Sequence, residues 1–191
     1  AGDALVENAG EGTDAVYIAS SYSLKSGFET LVLTGSAAVD GVGNELDNYI
    51  EGNNGANRLT GGLGADTVAG GKGNDSYYID DTSDVLIETA DFGTDMVLST
   101  VSWTLADNFE NLTLRGSGNI NATGNAASNV IGGNSGNNVL DGGAGADIMV
   151  GGGGDDTYYI DHAGDRTSEA GSGGHDVVLA SVSFGLKGEF E

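Results

Sequence analysis

One nine-residue string, Gly-Gly-x-Gly-x-Asp-x-U-x with U a large apolar residue, governs what this chain can become. It is clearest at residues 61–69 (GGLGADTVA), 70–78 (GGKGNDSYY), 142–150 (GGAGADIMV) and 151–159 (GGGGDDTYY). So short a period, with an acid at a fixed place, restricts the chain to a solenoid that stacks carboxylates along an edge. Stacked carboxylates repel one another unless a cation lies between them. Cation binding coupled to folding is therefore the first expectation.

The string is nested in a longer repeat. Asp66 recurs as Asp147, Tyr77-Tyr78-Ile79-Asp80 as Tyr158-Tyr159-Ile160-Asp161, and Thr13-Asp14 as Thr94-Asp95, all at one constant offset. Residues 1–110 laid over residues 82–191 without gaps give 49 identities, which excludes coincidence. The long unit spans nine nonapeptides. Reading back from residue 61, the frame continues through 52–60 (GNNGANRLT) and 43–51 (GNELDNYIE), with 133–141 and 124–132 as their counterparts. In these turns Asn48, Asn57, Asn129 and Asn138 replace the acid. Reading forward, 79–87 (IDDTSDVLI) keeps the frame, and after a two-residue slip 90–98 (ADFGTDMVL) resumes it. Cut by this period, the chain has three pieces: part of a unit (1–33), a complete unit (34–114) and a second, truncated unit (115–191). Ala1 thus begins in mid-repeat, and the chain reads as a fragment of something longer.

Glycine makes up 35 of 191 residues, against a usual share of about 7%. Flexible glycine linkers are aperiodic, whereas here glycine recurs at fixed phase between Val, Ile, Leu and Tyr. That favours short strands joined by tight turns and disfavours helix. The expected class is all-β. The strand pattern continues outside the Gly-rich blocks, in Val101–Leu105 and Leu112–Leu114.

Asp and Glu number 29 against 6 Lys and Arg, a net charge of −23. Nucleic acid and anionic membrane surfaces require basic patches, so neither is an expected partner. The same charge opposes compaction, so the cation-free chain is expected to be largely disordered. With no Cys, disulfides and thiolate metal sites are excluded. No apolar run approaches a membrane span, and the start of the chain does not resemble a signal peptide.

Two nonapeptides make one coil of a flattened spiral: turn, strand, turn, strand. Residues two nonapeptides apart then stack at the strand spacing of about 4.8 Å. Asp66 should lie over Asp84 and Asp147 over Asp165. On the other edge Asp75 should meet Asp95 and Asp156 should meet Asp176, if the loop absorbs the slip. The turn glycines Gly62, Gly64, Gly71, Gly73, Gly143, Gly145, Gly152 and Gly154 can take positive φ and turn carbonyls inward. Paired carboxylates among carbonyl oxygens form a hard cage suited to several Ca²⁺ ions, more than to Mg²⁺ or zinc. The Asn turns fit either weaker sites or plain amide ladders.

These residues resemble the calcium-binding nonapeptide of RTX (repeats-in-toxin, hemolysin-type) proteins. The strong match covers Gly43–Asp84 and Gly124–Asp165, and the segment GTDMVLSTVSWTLADNFENLTL resembles linkers between such blocks. The resemblance implies a right-handed parallel β-roll with two strands per coil and calcium between successive turns. It also implies type I export from a Gram-negative bacterium and folding outside the cell. The family's sixth-position acids map to Asp66, Asp75, Asp147 and Asp156.

Other residues read as structural. Asp80 and Asp161 are expected to be solvated, as are Glu88 and Glu169, which recur without a partner in the frame. His162 and His175 exchange with Asp81 and Thr94 between copies, which marks them as surface residues. Trp103 exchanges with Tyr22 and Phe184, which marks it as packing. No catalytic motif occurs, and regularly repeated acids are unlike a single asymmetric active site. Two roles stay open: a stretch of an extracellular structural or adhesive array, in contact with neighbouring units and copies of itself, or an accessory module of a secreted enzyme or toxin.

Overall fold

The computed structural model describes residues 12–90, 93–169 and 173–185. The start of the 1–33 piece, two residues of the 90–98 frame and the terminal Phe190-Glu191 lie outside the described residues. The chain divides into two compact units, Ala1–Asp95 and Met96–Glu191. Among the described residues there is no helix, hence none long and apolar enough to cross a membrane.

The first unit holds β1 (Ala15–Ile18), β2 (Tyr22–Ser23), β3 (Thr30–Leu33), β4 (Asp40–Val42), β5 (Tyr49–Glu51), β6 (Arg58–Thr60), β7 (Thr67–Ala69), β8 (Ser76–Ile79) and β9 (Val85–Ile87). The second holds β10 (Met96–Ser99), β11 (Trp103–Thr104), β12 (Asn111–Leu114), β13 (Ala122–Thr123), β14 (Val130–Gly132), β15 (Val139–Asp141), β16 (Ile148–Val150), β17 (Thr157–Ile160), β18 (Arg166–Ser168) and β19 (Val177–Ala180). In each unit consecutive strands alternate between two sheets. β1, β3, β5, β7 and β9 pair in that order, as do β2, β4, β6 and β8; β10 to β18 and β11 to β19 do the same, two strands at a time. The pairings run parallel throughout the described residues. Each unit is a parallel β-solenoid, the β-roll architecture expected, with one strand in each sheet per coil.

The U position explains why the strands stack. Most of the short strands place an apolar side chain inward, and that residue faces its image one coil away. Val16, Leu31, Ile50, Val68 and Leu86 form one such column through successive pairings. Val97, Leu112, Ile131 and Met149 form another, and each of the four is fully buried. On the opposite sheets, Leu59 faces Tyr77 and Leu140 faces Tyr158, again fully buried. Burial of these columns is the apolar driving force for stacking.

Coil length varies while the columns hold. Within the Gly-rich blocks the register step is two nonapeptides, as in Thr67↔Val85 and Ile148↔Arg166. The step is shorter from β1 to β3 (Ala15↔Thr30) and from β10 to β12 (Met96↔Asn111). It is one position longer than two nonapeptides from β3 to β5 (Thr30↔Tyr49) and from β12 to β14 (Asn111↔Val130). From β17 to β19 (Thr157↔Val177) it is two positions longer, so the loop absorbs the slip. The segment that resembles a linker is itself coiled, contributing β10, β11 and β12. Surplus residues leave through the turns because shifting a strand by one residue would turn its apolar side chain outward.

Ile131 lies mid-column with no exposure. Ile131→Ala should lower unfolding stability by about 2–5 kcal/mol, read as a drop in denaturant midpoint. A change under about 1 kcal/mol would show that the column carries little of the stability.

Candidate metal centre

Every GGxGxD turn is shaped by close approach to the coil below. Gly62 and Gly64 take φ of 102° and 114°, and a Cβ on either would run into the main-chain oxygen of Asn44 or Leu46. Only glycine fits both the conformation and the space. The corresponding glycines Gly71, Gly73, Gly143, Gly145, Gly152 and Gly154 share the positive φ.

The sixth-position residues form a ladder along each edge. Asp66 Oδ1 accepts the Asn48 N–H at 2.7 Å, and Asp84 Oδ1 accepts the Asp66 N–H at 3.1 Å. On the other edge Asp75 Oδ1 accepts from Asn57 and Asp95 Oδ1 from Asp75, both at 2.7 Å. The second unit repeats both ladders, Asn129–Asp147–Asp165 and Asn138–Asp156–Asp176, at 2.7–3.0 Å. The structure thus brings together all four acid pairs at the positions that the spacing marks.

In the first acid of each ladder one carboxylate oxygen is accounted for and the other is not. Oδ2 of Asp66, Asp75, Asp147 and Asp156 is buried without a hydrogen-bond partner, and these residues are at most 1 % exposed. An unmet, buried carboxylate oxygen is costly unless protonated or matched by a positive charge. The donors stacked here are carboxylate oxygens, the hard ligands that a hard cation takes. Asp165 differs. Its Oδ2 accepts the N–H groups of Asp161 at 3.3 Å and His162 at 3.0 Å, which closes the edge locally.

The Asn turns are chemically sealed. Asn48 Nδ2 donates to Phe28 O, Asn57 to Val39 O, Asn129 to Phe109 O and Asn138 to Ile120 O, at 2.6–3.2 Å. Their Oδ1 atoms accept the N–H of Asn44, Asn53, Asn125 and Asn134 at 2.7–2.9 Å. Both ends of each amide are satisfied, which is the geometry of an amide ladder.

Glu88 and Glu169 correct the solvated-face expectation. They are 9 % and 7 % exposed, and each accepts a hydrogen bond from a buried tyrosine, Tyr77 or Tyr158. One carboxylate oxygen of Glu88 lies within 4.8 Å of one from Asp75 and one from Asp95, and Glu169 is placed likewise with Asp156 and Asp176. The sequence frame hides them because they sit beside the slip. Their recurrence at the same place in both long units was the available signal. Asp80, Asp161, His162 and His175 are exposed, and Tyr22, Trp103 and Phe184 are half-buried.

Burial dominates the electrostatics. It pushes the Asp66, Asp75, Asp147 and Asp156 carboxyls up to about 6, against the main-chain N–H bonds that favour the charge. The stacked partners Asp84, Asp95, Asp165 and Asp176 push in the same direction as burial. Burial raises Glu88 to about 7, opposed by the Tyr77 hydroxyl and reinforced by Asp95 and Asp75. It also raises the Tyr77 hydroxyl.

Carboxyls whose pKa is higher folded than unfolded add stability at low pH and lose it as pH rises through the folded value. Cation-free chain in chelator should therefore gain β signal in circular dichroism as pH falls from about 7 to about 4. Loss of β signal over that range would contradict these burial-raised values.

The family model for the RTX calcium-binding nonapeptide repeat (four copies) matches residues 42–77 and 123–158. Those two stretches contain the four Asn and the four buried Asp of the ladders but stop short of Glu88 and Glu169. Comparison with curated proteins finds no match. Over those two stretches the turn glycines and sixth-position acids are similar to RTX calcium-binding nonapeptide repeats, and the parallel coils of each unit form a β-solenoid consistent with a β-roll.

Proposed function

We propose that the chain is a calcium-binding segment of a secreted bacterial RTX protein that folds and stiffens on meeting Ca²⁺ outside the cell. The observation that carries the reading is the set of buried, partnerless Oδ2 atoms on Asp66, Asp75, Asp147 and Asp156. In this reading they supply the free carboxylate oxygens for several calcium ions. Asp84, Asp95, Asp165 and Asp176 add negative charge one coil on. The positive-φ glycines hold the main-chain carbonyls of the turn in place. Asn48, Asn57, Asn129 and Asn138 act as amide rungs.

The net charge of −23 makes the process switch-like. Low cytosolic calcium would leave the chain expanded and fit for type I export, while extracellular calcium would neutralise the ladders. Since each coil touches mainly its neighbours, order spreads from coil to coil. The near-copies at the long period support a place in a tandem structural or adhesive array, because such arrays lengthen by duplication. The role is structural, with the fold itself as the product of binding.

Calcium titration in circular dichroism tests this. Chain in chelator at neutral pH should be largely unordered and gain β structure cooperatively, with dissociation constants of about 10⁻⁴–10⁻³ M. Full β signal with excess chelator would defeat the proposal. Asp66→Ala should raise the calcium midpoint and flatten the transition because the loss extends beyond one coil. A titration superimposable on the unaltered chain would show that Asp66 holds no cation.

A further inference from the structure

In the four Asn turns the first-position glycines obey one spatial rule. A Cβ on Gly43 would collide with the main-chain oxygen of Gly61, one coil on, and with Asn48 Oδ1 of its own turn. Gly52 meets Gly70 O and Asn57 Oδ1, Gly124 meets Gly142 O and Asn129 Oδ1, and Gly133 meets Gly151 O and Asn138 Oδ1. Each of these turns thus encloses a point ringed by a carbonyl from the next coil and a side-chain oxygen from its own sixth position.

At Gly70 the rule holds with different atoms. The residue two nonapeptides on is Glu88, and its Oε1 takes the place of the carbonyl. The sixth-position oxygen is Asp75 Oδ2, and the Tyr77 hydroxyl joins them around the same point. At Gly151 the same point is ringed by Glu169 Oε1, Asp156 Oδ2 and the Tyr158 hydroxyl. Asp95 and Asp176 complete the groups. A side chain larger than glycine's hydrogen would fill the space.

We propose that Asp75, Glu88 and Asp95, and in the second unit Asp156, Glu169 and Asp176, each form a three-carboxylate calcium site at the last turn of a Gly-rich block. This rests on the reading that Asp75 and Asp156 hold calcium, and it adds Glu88 and Glu169 as ligands. The independent observation is Oδ2 of Asp75 and of Asp156, each on a residue 1 % exposed, without a partner and aimed at the ringed point. Three carboxylates attract a divalent ion more strongly than the one or two available to the turns below, because ligand charge tunes calcium affinity. These two sites therefore fill first. Tyr77 and Tyr158 orient the glutamates by hydrogen bonding, as outer-shell partners of metal ligands do.

Terbium, a calcium substitute excited through a nearby tyrosine, reports the sites in the full chain. Titration with Tb³⁺ under tyrosine excitation should show a first phase that calcium displaces. In E88Q/E169Q that phase should move to roughly tenfold higher concentration or beyond. A variant curve superimposed on the unaltered one overturns the proposal. If E88Q/E169Q gains no β signal even in saturating calcium, E88Q alone decides. Its first phase should keep its position and lose about half its amplitude, because the Glu169 site remains, and a first phase of full amplitude overturns the proposal. Absence of any Tb³⁺ or Ca²⁺ uptake by the unaltered chain would instead refute the calcium reading beneath it.

Discussion

The shared carboxylate at the sixth position is the interaction on which the rest of the structure depends. One oxygen of each buried Asp is spent on the main-chain N–H of the coil below, which fixes the coil-to-coil register at the turn. The other oxygen is left facing inward with no donor. The hydrogen bond stabilises the stack and the bare oxygen destabilises it, so one side chain sets both the geometry and its dependence on a counter-charge. The apolar columns alone offer few inward residues per strand. That is a thin core for a chain with so large an excess of negative charge.

The two ladder types show how small the chemical difference is between a rung that needs a cation and one that does not. At Asn57 the amide nitrogen donates to Val39 O while Oδ1 accepts from Asn53. At Asp75, one coil on, the oxygen that faces the coil below accepts the Asn57 N–H instead of donating, and Oδ2, which lies by Gly70 as Asn57 Oδ1 lies by Gly52, stays unmet. Both residues are buried at the sixth position of a turn, but the second and fourth positions, Gly71 and Gly73, take positive φ where the acid stands and their counterparts Asn53 and Gly55 do not. The amide rungs explain how coils without acids still stack in the same sheets as those with them.

Much of this was legible in the sequence, for a physical reason. Alternation along the strand and a fixed nonapeptide through the turn determine which side chains face inward and which acids stack, so the pairs Asp66–Asp84 and Asp147–Asp165 follow from spacing alone. Asp75–Asp95 and Asp156–Asp176 required a loop to absorb the slip, which the β17–β19 register does. Less visible were the coils that run shorter or longer than two nonapeptides, because their apolar columns persist while the motif does not. Glu88 and Glu169 were obscured for a related reason. They stand where the next coil's first glycine would be, but the slip beside them breaks the frame that would reveal it. The closed rung at Asp165 depends on a turn conformation that spacing does not encode.

The succession of amide and acid down each ladder has a genetic consequence. Asn and Asp codons differ at a single base, and the two side chains are alike in shape. A point mutation can therefore exchange the amide for the acid, while the positive-φ glycines of the acid turns show that the neighbouring turn residues must change with it. On the proposed calcium reading, the ion concentration at which such coils order is then set by how many letters along the ladder read D instead of N.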